Sequence, residues 1–262
     1  MKPTQWDLEK GDEPLLALAL HNGHAMRDEL RPHLALSDAE RLREEDPHTG
    51  LWTSIAPTRL VLHHSRFEAD LNRPRERAVY RTSEDAWGLG IWNGDGLPDA
   101  LATRSLAYYD TFYSELETLY AEMAATHGRF LVLDFHSYNH RRSGPRGPHA
   151  DASENPQVNI GTGTMRDRSI WERVIGRFMD DLAGFPFPGG HLDVRENVKF
   201  QGGNCARWTH EAFAESACVL SVEFKKFFMD EWTGSVDERK LHAITDALHV
   251  AASGALQELR KP

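Results

Sequence analysis

Short apolar runs that stop abruptly at polar clusters alternate along this chain with longer stretches whose apolar residues recur at helical spacing. That alternation predicts strands interleaved with helices. Pro14-Leu-Leu-Ala-Leu-Ala-Leu20 is the first such run, and it ends in His21-Asn22-Gly23-His24, as a buried strand entering a turn does. Thr58 to His63 predicts a second strand. Arg129 to Asp134 predicts a third, running into Phe135-His136-Ser137; Gln157 to Ile160 and Cys218 to Phe224 predict two more. Ser37 to Asp46 opens with a capping serine and has helical composition. From Leu101 to Thr126, residues such as Leu106, Tyr109, Phe112, Leu116, Leu119 and Met123 fall on one helical face, and Gly128 stops the helix. Asp167 to Leu182 and Val236 to Leu259 predict the remaining helices. Residues 82–98 and 141–156, rich in Gly, Pro and polar residues, predict long loops.

Such an order predicts an α/β fold with a largely parallel central sheet and helices on both faces. Sheets of this kind place ligands at the carboxyl ends of their strands. His21, Asp134 with His136, Asn159 and Glu223 all fall at predicted strand ends, and their residue types point to an assembled site.

Composition narrows the class. At 262 residues the chain is expected to form one domain over 1–262, large enough to fold without a metal or disulfide. A net charge of −10 argues against a nucleic-acid partner. No apolar run is long enough to span a bilayer, so no membrane role is expected, and Met1 to Pro14 lacks the apolar core of a signal peptide. Cys205 and Cys218 can pair but make no framework, so a cytoplasmic protein with reduced thiols is expected. Oligomeric state is not legible in the sequence.

Histidine is the unusual residue, with 14 copies. His21 and His24 are separated by two residues in one turn, and His136 closes a strand. Two or three histidines plus a carboxylate, with one position left for water, is the usual set for catalytic zinc. The carboxylate can come from Glu45-Asp46, where Pro47 holds Asp46 away from helical geometry; Asp134 suits orientation of an imidazole from behind. Ser65-Arg66 to Arg73 packs two arginines with Asp70 and Asn72; either an arginine with the Asn amide grips a carboxylate, or Arg73 simply pairs with Asp70 on the surface. Glu223, at the end of an apolar strand, suits a general base toward metal-activated water. No Gly-x-Gly-x-x-Gly follows the first strand, which argues against a nucleotide-phosphate site.

Three of these segments carry a resemblance. Ser65-Arg-Phe-Glu-Ala-Asp-Leu-Asn-Arg-Pro74, Asp134-Phe-His-Ser137 and Val222-Glu-Phe-Lys-Lys-Phe-Phe-Met-Asp-Glu231 resemble, in that order, signatures of the N-formylglutamate amidohydrolases, and His21-Asn-Gly is similar to that family's early histidine–glycine turn. The resemblance implies kinship with zinc carboxypeptidases and the aspartoacylase/succinylglutamate desuccinylase group. It thereby implies a three-layer α/β/α, phosphorylase/hydrolase-like fold with a mostly parallel mixed sheet. It further implies one Zn²⁺ ion and hydrolysis of the N-formyl or N-acyl amide of a small anionic amino acid, most directly N-formyl-L-glutamate. His21 and His136 match metal ligands. The wider group has a Glu ligand separated by two residues from its first metal histidine; this chain has His24 there instead, so His24 and the Glu45/Asp46 pair both stand as the remaining ligand. Glu223 matches the catalytic glutamate, Arg66 a carbonyl-polarising arginine, and Asn72-Arg73 the carboxylate-binding pair. Arg141, Arg142 or Lys225 is expected to meet a side-chain carboxylate, with His140, Asn159 and Thr162 as pocket walls. The alternatives are a related metallohydrolase of another N-acyl amino acid or of peptide carboxyl ends, and a non-catalytic metabolite-binding relative.

Overall fold

The computed structural model describes residues 5–261, built around a seven-stranded sheet. In chain order the strands are β1 (Trp6–Glu9), β2 (Leu15–Ala19), β3 (Thr58–Leu62), β4 (Phe130–Tyr138), β5 (Val158–Gly161), β6 (Val194–Glu196) and β7 (Ala217–Lys225). Across the sheet they lie in the order β1-β3-β2-β4-β7-β5-β6. The central block β3-β2-β4-β7 is parallel; β1 joins antiparallel to β3, and the parallel pair β5-β6 joins antiparallel to β7.

The helices are α1 (Asp38–Glu44), α2 (Thr49–Trp52), α3 (Asp99–His127), α4 (Glu172–Gly184), α5 (Asn204–Ala212) and α6 (Glu238–Leu259). Alternate residues of the central strands feed two cores. Leu131, Leu133 and Phe135 of β4, with Cys218, Leu220 and Val222 of β7, pack with α4 and α6. Phe130 and Val132, with Ala217 and Val219, pack with α3 and α5 on the other face. Each fully buried aliphatic or aromatic side chain contributes roughly 1.5–3 kcal/mol, so both faces of β4 and β7 lock the register of the sheet. The result is the three-layer α/β/α arrangement expected from the sequence.

Four elements go beyond the sequence pattern, the one-turn α2 among them. β1 is an edge strand whose residues alternate between half-buried and exposed, leaving only Trp6 and Leu8 as apolar signal. β6 is three residues long, and α5 starts directly after Gly202-Gly203, a pair that otherwise reads as loop. β4 continues four residues beyond its expected end at Asp134, so Asp134 and His136 lie inside the strand. β5 runs opposite to β7, which means Asn159 does not sit at a carboxyl end shared with the others, although it pairs in register with Glu223. Cys205 and Cys218 are buried and unpaired with each other. No helix among the described residues is long and apolar enough to cross a membrane.

The turn after β2 depends on close backbone approach. A Cβ on Gly23 would lie 2.2 Å from the carbonyl carbon of His63 and 2.6 Å from the backbone nitrogen of His64. Backbone atoms on a strand end cannot give way as a flexible side chain would. Gly23→Ala is therefore expected to cost about 1–3 kcal/mol, read as a lower urea midpoint with unchanged slope. An unaltered midpoint would show that this turn adjusts freely.

Candidate metal centre and its pocket

The polar residues of β2, β4 and β7 gather where their alternate positions run out of core. Phe130 and Val132 are followed on the same side of β4 by Asp134 and His136, and Ala217 and Val219 of β7 by Ser221 and Glu223. His136 and Glu223 are register partners on adjacent parallel strands. His21 leaves the end of β2, and its carbonyl accepts a hydrogen bond from the backbone N–H of Asp46 at 2.9 Å, which pins the segment after α1 against it.

Two imidazoles and one carboxylate then converge. Nδ1 of His136 lies 3.0 Å from Oδ2 of Asp46, and Nδ1 of His21 lies 3.3 Å from the same oxygen. The ring centroids are 4.9 Å apart. His21, Asp46 and His136 each place a ligand atom within 4.8 Å of the others, and all three are buried. The far side of each ring faces another acid: His21 Nε2 is 2.7 Å from Asp70 Oδ1, and His136 Nε2 is 3.0 Å from Asp134 Oδ1. At His21 the Asp70 carboxylate accepts from Nε2 and so leaves the Nδ1 lone pair facing inward, while Asp134 sets a negative charge beside the His136 ring.

These residues fit a zinc ion. The Nδ1 atom of His21 is buried without a hydrogen-bond partner, a condition that costs about 1–3 kcal/mol and that a cation on its lone pair would relieve. A two-imidazole, one-carboxylate donor set also matches catalytic zinc, with a position to spare. Of the two candidates for the remaining ligand, the geometry selects Asp46. His24 stands apart and corrects the expectation for it: its Nδ1 is 2.5 Å from Glu45 Oε2, its Nε2 is 3.1 Å from Arg41, and it is turned toward solvent. Glu45 is itself occupied by His24 and the Ser65 hydroxyl.

Glu223 sits beside this trio with no hydrogen-bond or ion-pair partner among the described residues. Burial pushes its carboxyl up to about 7; Asp46 and Asp134 push the same way, against His136 and His21. Around it lies a cavity of about 380 Å³ bordered by the trio, Glu223, Arg66, Asn72, Trp87, Arg142 and Lys199. Arg66 donates to Asp70 at 2.7 Å, to the Tyr80 hydroxyl at 3.1 Å and to the Glu44 carbonyl at 3.3 Å. Burial works against its charge, but Asp70, Tyr80 and Asp46 hold it firmly cationic. Asn72 places Nδ2 3.2 Å from His136 Nε2 and accepts from the backbone N–H of Cys205, so it ties the start of α5 to the trio.

Other expected site residues lie elsewhere. Arg73 is not in the pocket wall; its guanidinium packs 4.4 Å over the Tyr80 ring, with Nε 3.5 Å from Asp70. His140, Arg141 and Lys225 line a separate cavity of about 770 Å³, which meets the first at Lys226. Arg141 is paired there with Asp230, and the Lys225 ammonium donates to the carbonyl of Asn155. Thr162 borders neither cavity and is bonded to Glu196 and Asn197. Asn159 is wholly buried, and its amide holds the backbone of Lys199 and Phe200.

Sequence reasoning passed over Tyr80, Trp87, Lys199 and Lys226. The buried Lys226 ammonium donates to the carbonyls of Arg43 at 2.6 Å and Glu45 at 2.7 Å, bracing the segment that presents Asp46. No local pattern marks Trp87, whose φ of 55° lies in the left-handed region that bulky side chains rarely adopt.

A mixed α/β/α scaffold with two imidazoles, an aspartate and a partnerless glutamate at its strand ends has the layout of a hydrolase. The chain belongs to the N-formylglutamate amidohydrolase family, whose family model matches residues 13–228. Its fold is shared with a crystal structure of N-formylglutamate amidohydrolase from Ralstonia eutropha JMP134, at 16% identity and a TM-score of 0.73, covering 97% of this chain and 98% of that one. A gene product of Agrobacterium tumefaciens, Atu2144, is similar at 19% identity and a TM-score of 0.68, covering 98% and 96%. No curated protein is close enough in sequence to match.

Proposed function

We propose that this protein is a zinc-dependent amidohydrolase that cleaves the formyl amide of N-formyl-L-glutamate, releasing formate and L-glutamate. One arrangement carries the reading: His21 Nδ1, Asp46 Oδ2 and His136 Nδ1 converge, and the unpaired Glu223 carboxylate stands beside them. Family membership supports amide hydrolysis, and the name of the Ralstonia eutropha relative supplies the substrate.

His21, Asp46 and His136 would hold the ion. Bound there, zinc supplies Lewis acidity toward a carbonyl oxygen and lets water act as a nucleophile near neutral pH. Glu223 accepts a proton at its carboxylate as the water oxygen bonds to the formyl carbon. It then returns that proton to the amine nitrogen as the C–N bond breaks. Arg66 directs its fixed charge at the oxygen that becomes anionic; preorganised donors of this kind are worth about 3–4 kcal/mol. Asp70 and Tyr80 orient that guanidinium, while Asn72 orients the His136 ring. Arg142, 3.1 Å from Glu44 at the pocket mouth, offers its remaining N–H groups to the α-carboxylate.

The test is formate release by purified protein, measured alongside metal content over a panel of N-acyl amino acids. About one zinc per chain and preferred cleavage of N-formylglutamate are expected. Full activity without metal would overturn the mechanism, and an inert N-formylglutamate beside a well-cleaved alternative would overturn the substrate.

A further inference from the structure

Four cations border the 380 Å³ pocket: Arg66, Arg142, Lys199 and Lys226. Three already have partners within the protein. Arg66 is bonded to Asp70, Arg142 faces Glu44, and the Lys226 ammonium is taken up by two backbone carbonyls. Among the described residues, the Lys199 ammonium has neither a hydrogen-bond nor an ion-pair partner. It rests on two aromatic faces of the pocket, 5.3 Å from the Tyr138 ring centroid and 5.7 Å from that of Phe200. Burial and then the charge of Arg142 lower its pKa, which places two like charges near one mouth.

The position of this lysine is built into the sheet. Its backbone N–H donates to Asn159 Oδ1 at 2.8 Å, and Asn159 Nδ2 donates to the Phe200 carbonyl at 2.8 Å. Asn159 is fully buried on β5 and is the register partner of Glu223. The turn that carries the free cation is therefore fixed to the strand beside the base. An amide buried this deeply, with its bonds directed at residues 199 and 200, is a device for holding that turn.

We propose that Lys199 is the specificity residue of the site, its ammonium receiving the side-chain carboxylate of an acidic N-acyl amino acid. The inference rests on the amidohydrolase reading and adds to it the group that tells glutamate from its neutral analogues. A carboxylate meeting Lys199 gains a charge-assisted hydrogen bond; a neutral side chain leaves the cation as it is.

Lys199→Met tests this, because methionine keeps an unbranched stem over the two rings and removes only the charge. The readout is the ratio of kcat/KM for N-formyl-L-glutamate to that for N-formyl-L-glutamine. The ratio is expected to fall about tenfold or more, mainly through KM, and Lys199→Arg is expected to restore most of it. An unchanged ratio, or equal losses on both compounds, overturns the assignment. Calorimetric binding of the same two compounds to Glu223→Gln protein, with and without Lys199→Met, gives a second readout. If wild-type protein hydrolyses neither compound, the reaction assignment fails and binding alone decides on Lys199. A preference for the glutamate compound that Lys199→Met abolishes supports the residue's role; no preference refutes it.

Discussion

Glu223→Gln protein is expected to take up zinc as wild type does and to hydrolyse N-formylglutamate about 10²–10⁴-fold more slowly. The amide is nearly the same size as the carboxyl, so the pocket beside His136 keeps its shape and only proton transfer is lost. Metal content and kcat measured on the same sample check both halves. A variant with near-normal kcat would remove Glu223 from the mechanism, and one without metal would show that it holds the site together instead. The pH profile adds an independent sign. As a base Glu223 works only when ionised, so kcat/KM should fall as pH drops through its pKa. Burial raises that value from the ordinary 4.5 to about 7, and a bound dication draws it back down. The acid limb is expected between those limits, and it should vanish in Glu223→Gln.

Stripping the metal with a chelator is expected to abolish activity and lower the melting temperature, and zinc should restore both. Asp46, Asp70, Asp134 and Glu223 crowd around two imidazoles, a concentration of negative charge that a cation at the trio offsets in the folded state only. Zinc at a hundred times its dissociation constant stabilises the fold by about 2.7 kcal/mol. For a chain of this size that corresponds to roughly 5–10 °C. Calorimetry of metal-free and reloaded protein measures the shift. His21→Ala should lose the response, because two donors hold zinc far less tightly than three. A melting temperature indifferent to zinc in wild-type protein would defeat the metal assignment.

How much of this was legible in the sequence follows from where the information lies. β2, β4 and β7 announce themselves because strands buried on both faces read as unbroken apolar runs. Their polar ends mark His21, His136 and Glu223 for the same reason. β1, half exposed on an edge, and the three-residue β6 carry too little apolar patterning to register. Strand direction left no local trace, so the reversal of β5 and the indirect role of Asn159 emerged only from the sheet order. The choice between His24 and Asp46 was set by the long-range bond from the Asp46 N–H to the His21 carbonyl. For His140, Arg141 and Lys225, adjacency to motif residues was misleading: neighbours along a strand point to opposite faces, and the chain beyond β4 turns into a different cavity. Lys199 lies where no periodicity guides the eye.

β7 is the last strand in the chain, yet it sits in the middle of the sheet, between β4 and β5. A nascent polypeptide emerging from the ribosome therefore carries β4 and the β5-β6 pair with open hydrogen-bonding edges until Lys225 has been made, the period of greatest exposure to misassembly. His21, Asp46 and His136 precede that strand, whereas Glu223 arrives with it. The three converging donors are thus made before the Glu223 carboxyl, and the pocket is completed only by a strand that arrives late in the chain.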